Sequence, residues 1–217
     1  MPRQNPKTYT TIWRASLAFC GGHKTGPNRC SLIVPPHSQA SGMLGAVFRK
    51  RGMRHQIHST SILAFGGKFP FTVSEMDSFS KEAFYINDRK TLRTYVLLNE
   101  VTYAIRSSIV RDPDIDPEDT QVKFEQIFER RVANGQVFDT YPTIGPKEYI
   151  VDEFRFATDA DDLTPLKLYE DLGIQPYDQD FREEGHPWYY AHMEVSNGTI
   201  EYPTWSEVKQ LGLRRVV

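Results

Sequence analysis

The stretch that decides the fold lies early in the chain and reads YTTIWRASLAF at residues 9–19. Its larger apolar side chains alternate with mostly polar ones, which is the period of two expected for a half-buried strand. One face of this predicted strand carries Tyr9, Trp13, Ala15, Leu17 and Phe19, and the other carries Thr10, Ile12, Arg14 and Ser16. The glycine-rich residues 21–27 that follow indicate a flexible loop.

A helix is predicted after Pro35-Pro36, running to about Gly52. Its apolar residues follow the spacing i, i+3, i+4, i+7 and i+8 of one helical face, and they are Ala40, Met43, Leu44, Val47 and Phe48. The next three residues, Arg49, Lys50 and Arg51, then fall in the last turn, where positive charge suits the helix dipole. Helix capping and contact with a polyanion both remain open roles for them.

The rest of the chain reads as strands around one more helix. Strands are predicted at residues 55–65, 94–110, 148–156 and 189–195, with a hairpin turn at Asn197-Gly198. Residues 65–91 are aromatic and interrupted by glycine, and they have no single period, so we expect a long excursion from the core.

The second helix is expected to begin at an Asp116 N-cap followed by Pro117, and to end at Asn134-Gly135. Residues 112–119, which contain five acids and two prolines, are expected to form an exposed turn before it. The order strand, helix, strand, excursion, strand, helix and strand-rich tail predicts an α+β fold with a ferredoxin-like core.

Charge is divided unevenly along the chain. Residues 1–74 contain ten Lys or Arg and no Asp or Glu, whereas the remaining 143 residues contain 16 basic and 28 acidic side chains. This asymmetry predicts a polyanionic partner, because phosphate contacts supply most of the affinity for nucleic acid. The alternative is a basic face that meets the acidic half of the same chain or of a neighbour.

Several protein classes are excluded by composition. The chain is 39% hydrophobic, which is enough for a packed core, and no apolar run approaches the roughly 18 residues of a membrane span. The N-terminal residues lack the apolar segment of a secretory signal. Cys20 and Cys30 are too few for a disulfide framework, and the pair His55 and His58 has no third metal ligand. We therefore expect a cytoplasmic protein with no metal and no cofactor.

Five collinear segments resemble CRISPR-associated family five (the Cas five family) in its type I-C form. The most specific runs from Lys123-Phe124 through Phe128-x-Arg130-Arg131 to Gly135-Gln136-Val137-Phe138, and it is similar to the family's Lys-His, Phe-x-Arg-Arg and Gly-Gln-Cys-Phe elements. The others lie at residues 41–48, 71–76, 88–105 and, near the end of the chain, 172–181 with 197–200.

The resemblance implies a domain organisation. Residues 1–135 would form a ferredoxin-like domain of the RRM or RAMP type, with a protruding β-hairpin thumb at about residues 65–91. Residues 136–217 would form a β-rich C-terminal extension packed on this domain.

The resemblance also implies a function: a Cascade subunit that binds CRISPR guide RNA and holds its five-prime, repeat-derived handle in antiviral defence. The thumb would lie between guide and target, so the implied partners are the guide RNA, the backbone and large subunits and, through the complex, target DNA. The residues predicted to contact RNA are Arg14, Lys24, Arg29, Arg49, Lys50, Arg51, Arg54, His55, Arg130 and Arg131.

Type I-C relatives also cut precursor RNA in the repeat without metal, by attack of a ribose 2′-hydroxyl on the adjacent phosphate. The family uses an aromatic residue, usually Tyr, or a His on the first helix, and a Lys-His pair that opens the second. These positions here are Phe48, Lys123 and Phe124, of which only Lys123 can carry charge or a proton. The resemblance therefore implies weak or absent cleavage, unless His55, His58 or Tyr141 replaces the missing base.

Three functions stay open from sequence alone: a handle-binding Cascade subunit, a metal-independent endoribonuclease that processes precursor RNA, and a free-standing RNA-binding regulator. Residues 152–184 hold eleven acids against three bases. This acidic stretch is either a solvated surface or a docking site for a basic neighbour.

Overall fold

The computed structural model describes residues 5–25, 28–76, 85, 87, 90–112, 116–138, 140–181 and 183–215. These residues form a mixed α+β structure that is rich in strands. The helices are α1 (His37–Val47), α2 (Gln121–Ala133) and α3 (Trp205–Leu211). The strands are β1 (Thr8–Ala18), β2 (Cys20–Thr25), β3 (Asn28–Leu32), β4 (Met53–Ala64), β5 (Gly67–Met76), β6 (Lys90–Arg111), β7 (Glu153–Phe156), β8 (Glu170–Gln179), β9 (Trp188–Ser196), β10 (Thr199–Glu201) and β11 (Arg214–Arg215).

The centre of the fold is an antiparallel sheet in the order β4-β6-β1-β7. The long strand β6 pairs with both β1 and β4, and Tyr103 of β6 lies between Trp13 of β1 and Ile62 of β4. All three of these side chains are fully buried. The alternation predicted for residues 9–19 is confirmed from Trp13 to Ser16, where Trp13 and Ala15 are buried while Arg14 and Ser16 are exposed. It is wrong at Leu17, which is 37% exposed, and at Ile12, which is buried on the other face.

Both long helices contribute to this core. The predicted stripe of α1 is confirmed, since Ala40, Met43, Leu44 and Val47 are all buried. Helix α2 buries Phe124, Phe128 and Val132, and the Phe128 ring meets Tyr9 of β1 at a centroid distance of 5.3 Å. The two helices therefore join β1 in one apolar core.

Helix α1 ends five residues before the predicted end. Phe48 has extended backbone angles, so Arg49, Lys50 and Arg51 do not form a last helical turn. They belong instead to a turn that leads into β4, in which Gly52 adopts a φ of 80°. The prediction that these three cations fall in the last helical turn is therefore wrong, because the helix ends at Val47, and helix capping is removed as their role.

Helix α2 starts later than predicted. Its N-cap is Thr120, whose hydroxyl accepts a hydrogen bond from the Lys123 backbone N–H at 3.2 Å. The Asp116 carboxylate accepts instead from the Glu118 N–H at 2.9 Å and so stabilises the preceding turn. The predicted end at Asn134-Gly135 is confirmed, with Gly135 at a φ of 61°.

A loop was predicted at residues 21–27, but β2 and β3 pair with each other as the β2–β3 hairpin, and β3 lies parallel to β6. Residues 65–91 contain β5, which pairs with Lys90–Asn99 of β6 along its whole length. We call this two-stranded element the β5–β6 ribbon. The residues between its strands lie outside the described part of the chain, except for 85 and 87.

Strands after residue 135 join the sheet on both sides. Strand β7 pairs with β1, while β10 pairs with β4 and β9. The predicted hairpin at Asn197-Gly198 is confirmed between β9 and β10. The acidic stretch contains β8, which pairs with β9. No helix in the described residues is both long enough and apolar enough to span a membrane.

Candidate nucleic-acid interface

Two lysines from different elements share one carboxylate. The turn after α1 brings the Lys50 Nζ to 2.5 Å from the Asp119 Oδ1, and the first turn of α2 brings the Lys123 Nζ to 2.9 Å from the same oxygen. Hydrogen bonds from these two ammonium groups lower the pKa of Asp119. The hydrogen bond to Asp119 also raises the pKa of Lys123, so this lysine is a stable cation and a poor general base.

The two phenylalanines that stand where the resemblance predicts catalytic residues belong to the apolar core. Phe48 and Phe124 are 3% and 0% exposed, and their ring centroids lie 6.1 Å apart. The Lys50 ammonium lies 5.9 Å from the centre of the Phe124 ring. Neither phenyl ring can accept or donate a proton, so both serve to pack α1 against α2.

His55 lies directly beneath this turn. Its Nε2 is 2.8 Å from the Phe48 carbonyl oxygen, which can only accept, so the ring proton is on Nε2. Burial lowers the pKa of His55 to about 4, and the ring is therefore neutral at neutral pH. His55 was predicted to contact RNA, but at 5% exposure it contributes no surface charge and instead fixes the end of α1.

The other two candidate bases lie elsewhere. The Nε2 of His58 is 3.0 Å from the Ser108 Oγ, and burial is the main reason that the pKa of His58 is lowered. Tyr141 is exposed and its ring packs against Phe154 at 6.3 Å. Neither side chain contacts Lys123 in the described structure.

Arg131 joins the ends of the two helices. Its Nη1 donates a hydrogen bond of 2.8 Å to the Val47 carbonyl oxygen. Its guanidinium carbon lies 5.5 Å from the centre of the Phe48 ring and 5.7 Å from that of Phe138. This half-buried arginine is thus held in place by stacking, whereas its neighbour Arg130 is exposed.

A cleft of about 900 Å³ opens beside the turn, between α1, the start of β4 and the C-terminal part of the chain. Arg49, Arg54 and the largely buried His55 all line it, so the structure brings these three predicted contacts together; four acids, Asp112, Asp178, Asp180 and Glu183, line it as well. Sequence reasoning missed Lys209, which also lines the cleft and pairs with Asp180 at 2.6 Å. No local pattern around Lys209 indicates this position, because α3 reaches the cleft through tertiary packing.

The remaining predicted contacts are not part of this cleft. Arg14 is exposed on β1, on the sheet face opposite Trp13, and Arg51 is exposed in the turn. Lys24 and Arg29 are paired in register in the β2–β3 hairpin. The structure describes the backbone of Lys24 but not its side chain. The basic residues therefore fall in at least two places, the turn beside the cleft and the hairpin. In the described residues no cluster of His, Cys, Asp and Glu could hold a metal ion.

Comparison with known proteins identifies a sequence relative. No protein-family model matches the chain. The CRISPR pre-crRNA endoribonuclease Cas5d of Thermus thermophilus is 29% identical over 161 residues. The match covers 73% of this chain and 68% of that protein.

Solved structures share the fold over nearly the whole chain. A functionally uncharacterized protein from Streptococcus mutans, SMU1763c, matches with a TM-score of 0.68 and 15% identity, over 94% of this chain and 96% of that one. A CRISPR-associated protein matches with a TM-score of 0.67 and 16% identity, over 94% and 95%. One chain of a CRISPR RNA-guided surveillance complex matches with a TM-score of 0.51 and 10% identity, over 90% and 88%.

Proposed function

Because the chain belongs to the Cas five family, we propose that it is the guide-RNA-binding subunit of a type I-C-like Cascade complex and that it holds the five-prime handle of the guide. The observation that carries the proposal is the basic turn, which we define as Arg49, Lys50 and Arg51. Arg49 is exposed and lines the cleft, and Arg51 is exposed in the same turn; both come from a 74-residue stretch that contains no acid. Consecutive exposed cations of this kind suit the phosphates of an RNA strand.

The proposal includes a ferredoxin-like domain. It is supported by the order strand, helix, strand, strand, helix, strand of β1, α1, β4, β6, α2 and β7, and by their arrangement β4-β6-β1-β7 in the sheet. In this assignment the fourth strand comes from beyond residue 135, so the C-terminal extension both completes the domain and adds strands to it. The β5–β6 ribbon is the proposed thumb, and its pairing from Gly67 to Met76 supports this.

We propose further that cleavage of precursor RNA is weak or absent. Loss of two proton-transfer groups removes roughly 10²–10⁴ in rate for each group. Phe48 and Phe124 are buried, Lys123 is held as a cation by Asp119, and His55 is buried with its pKa lowered to about 4, so none of these four residues is an effective general base.

Processing of precursor RNA is the second candidate function. The observation in its favour is the relative from Thermus thermophilus, whose name states that activity. The two candidates separate in one assay, because metal-independent cleavage leaves a defined product when the cognate repeat RNA is incubated with the protein in EDTA.

The experiment combines a denaturing gel with a gel shift on the same repeat RNA. We expect the wild-type protein to shift the RNA without cutting it. The variant Arg49→Ala/Arg51→Ala should bind at least tenfold more weakly, whereas the matched control Lys147→Ala/Lys167→Ala, which removes two exposed lysines elsewhere, should bind normally. Equal binding by the two variants would contradict the assignment of the basic turn, and a defined cut would establish processing.

The proposed setting is a cytoplasmic complex with the guide RNA, the Cascade backbone and large subunits and, through them, target DNA. A free-standing RNA-binding regulator would instead purify as a monomer when the candidate partner subunits are co-expressed. Co-purification with a backbone subunit and guide RNA distinguishes the two.

A further inference from the structure

One face of the β5–β6 ribbon presents aromatic rings to solvent. Phe71 lies directly across the ladder from Tyr95, and Phe69 from Leu97, so the four side chains share a face. Phe69 and Phe71 are 47% and 45% exposed, which is unusual for phenylalanines on neighbouring positions of one face. We call this surface the ribbon face.

The ribbon face continues across β6 to the β2–β3 hairpin. Arg29 pairs in register with Tyr95, and its guanidinium carbon lies 5.6 Å from the centre of the Tyr95 ring. Phe19 meets the same ring edge-on at 6.1 Å. Arginine and aromatic side chains from three strands thus form one continuous surface.

On the ribbon face and the adjoining hairpin, the charge that no neighbouring residue neutralises is positive. Glu75 accepts a hydrogen bond from the Tyr95 hydroxyl at 2.6 Å and is 3.3 Å from the Arg93 Nη1, so its charge is neutralised locally. Arg29 forms no ion pair within the part of the chain that the structure describes. The surface therefore suits a partner that combines negative charge with flat apolar rings.

The aromatic rings of the ribbon face lie beside side chains that are buried or held by several contacts. Leu97, across from Phe69 in the ladder, is 1% exposed although it is not part of the main apolar core. The Tyr95 ring is held by its bond to Glu75 and by contacts with Phe19 and Arg29. Phe69 and Phe71, two positions apart on a strand, are spaced by about 6.7 Å, roughly twice the 3.4 Å rise of stacked bases.

We propose that the ribbon face is a stacking platform for unpaired RNA nucleotides, distinct from the basic turn. Phe69 and Phe71 would each stack on one base, and Arg29 would contact the phosphate between or beside them. Stacking on aromatic rings tolerates any base, so this surface binds a single strand without reading its sequence. The inference rests on the proposed function, because it assumes that RNA is the partner.

The test measures binding of a fluorescently labelled, unpaired oligouridylate by polarisation at several salt concentrations. Phe71→Ala should weaken binding by about 5- to 100-fold, following the cost of losing one stacked base. The matched control is Leu92→Ala, which removes an exposed apolar side chain from the opposite face of the same ribbon and should change affinity less than twofold. Phe71→Trp should retain binding, and Arg29→Ala should reduce the slope of log affinity against log salt by about 0.7.

Each outcome bears on the proposal. Equal binding by Phe71→Ala and Leu92→Ala overturns the platform while leaving RNA binding at the basic turn intact. Unchanged RNA binding combined with loss of a backbone subunit from the purified complex shows that the ribbon face docks a protein, which also overturns it. A wild-type protein that binds no RNA, including the repeat RNA, overturns the platform and the proposed function together.

Discussion

Acid should destabilise this protein through one buried imidazole. Burial of His55 lowers its pKa from 6.5 to about 4, so the folded state holds a proton at this site less readily than the unfolded chain does. The stabilising contribution is therefore complete above pH 6.5 and is lost as the pH falls from 6.5 towards 4. The full difference corresponds to about 3 kcal/mol, of which about 2 kcal/mol is lost by pH 5.

The assay compares urea unfolding of the wild type and of His55→Gln at pH 7.5 and pH 5.0. Glutamine keeps an N–H donor for the Phe48 carbonyl oxygen but does not titrate. Between pH 7.5 and pH 5.0, the free energy of unfolding of the variant should therefore fall by about 2 kcal/mol less than that of the wild type. Carboxylates titrate equally in both proteins and cancel. Parallel pH profiles for wild type and His55→Gln would refute the reasoning.

Three further predictions concern the site and one turn. The double variant Phe48→Tyr, Phe124→His should gain metal-independent cleavage of the repeat RNA by at least 10²-fold on a denaturing gel, and no gain would contradict the placement of the site. Gly198→Ala should lower the free energy of unfolding by more than 2 kcal/mol, because its Cβ would lie 2.0 Å from a backbone oxygen at a φ of 76°. Gly173→Ala, at a similar φ but in open space, should cost about 1 kcal/mol in the same urea melts. Asp119→Asn should release Lys50 and Lys123 from their ion pairs, so the slope of log RNA affinity against log salt should become steeper by about 0.7 to 1.4. An unchanged slope would show that neither lysine contacts phosphate.

The sequence predicted best those elements whose buried residues recur at the regular spacing of a strand or a helix. Strand β1 and the buried stripe of α1 follow directly from alternation and from the i, i+3, i+4 spacing. The end of α1 does not, because Phe48 leaves the helix while still packing with the stripe. The start of α2 was misplaced since Asp116 and Thr120 are both good caps, and only the structure shows which of them stabilises the helix.

Elements stabilised by distant partners were not predictable in the same way. The β2–β3 hairpin is rich in glycine, and it is ordered partly by the Ser31 hydroxyl, which accepts a hydrogen bond from the Cys20 N–H. Strand β8 lies in the acidic stretch, where no strand was predicted, and it buries only Leu172, Gln175 and Tyr177. Its pairing with β9, which is distant in sequence, supplies the order. The cleft likewise forms where α1 meets residues more than 130 positions away, so only Arg49 and Arg54 were identified from charge.

The phenylalanine pair also explains why the proposed loss of cleavage is compatible with RNA binding. Lys50 is held by the Asp119 carboxylate on one side and by the Phe124 ring on the other, so the basic turn is anchored on α2 through a buried aromatic residue. A histidine at position 124 would add a polar group to a fully buried site, where an unpaired polar atom is costly. Phenylalanine avoids that cost and keeps its ring 5.9 Å from the Lys50 ammonium. Phenylalanine at position 124, which can transfer no proton, thus supports the turn that carries Arg49 and Arg51, the exposed cations that the proposed function requires.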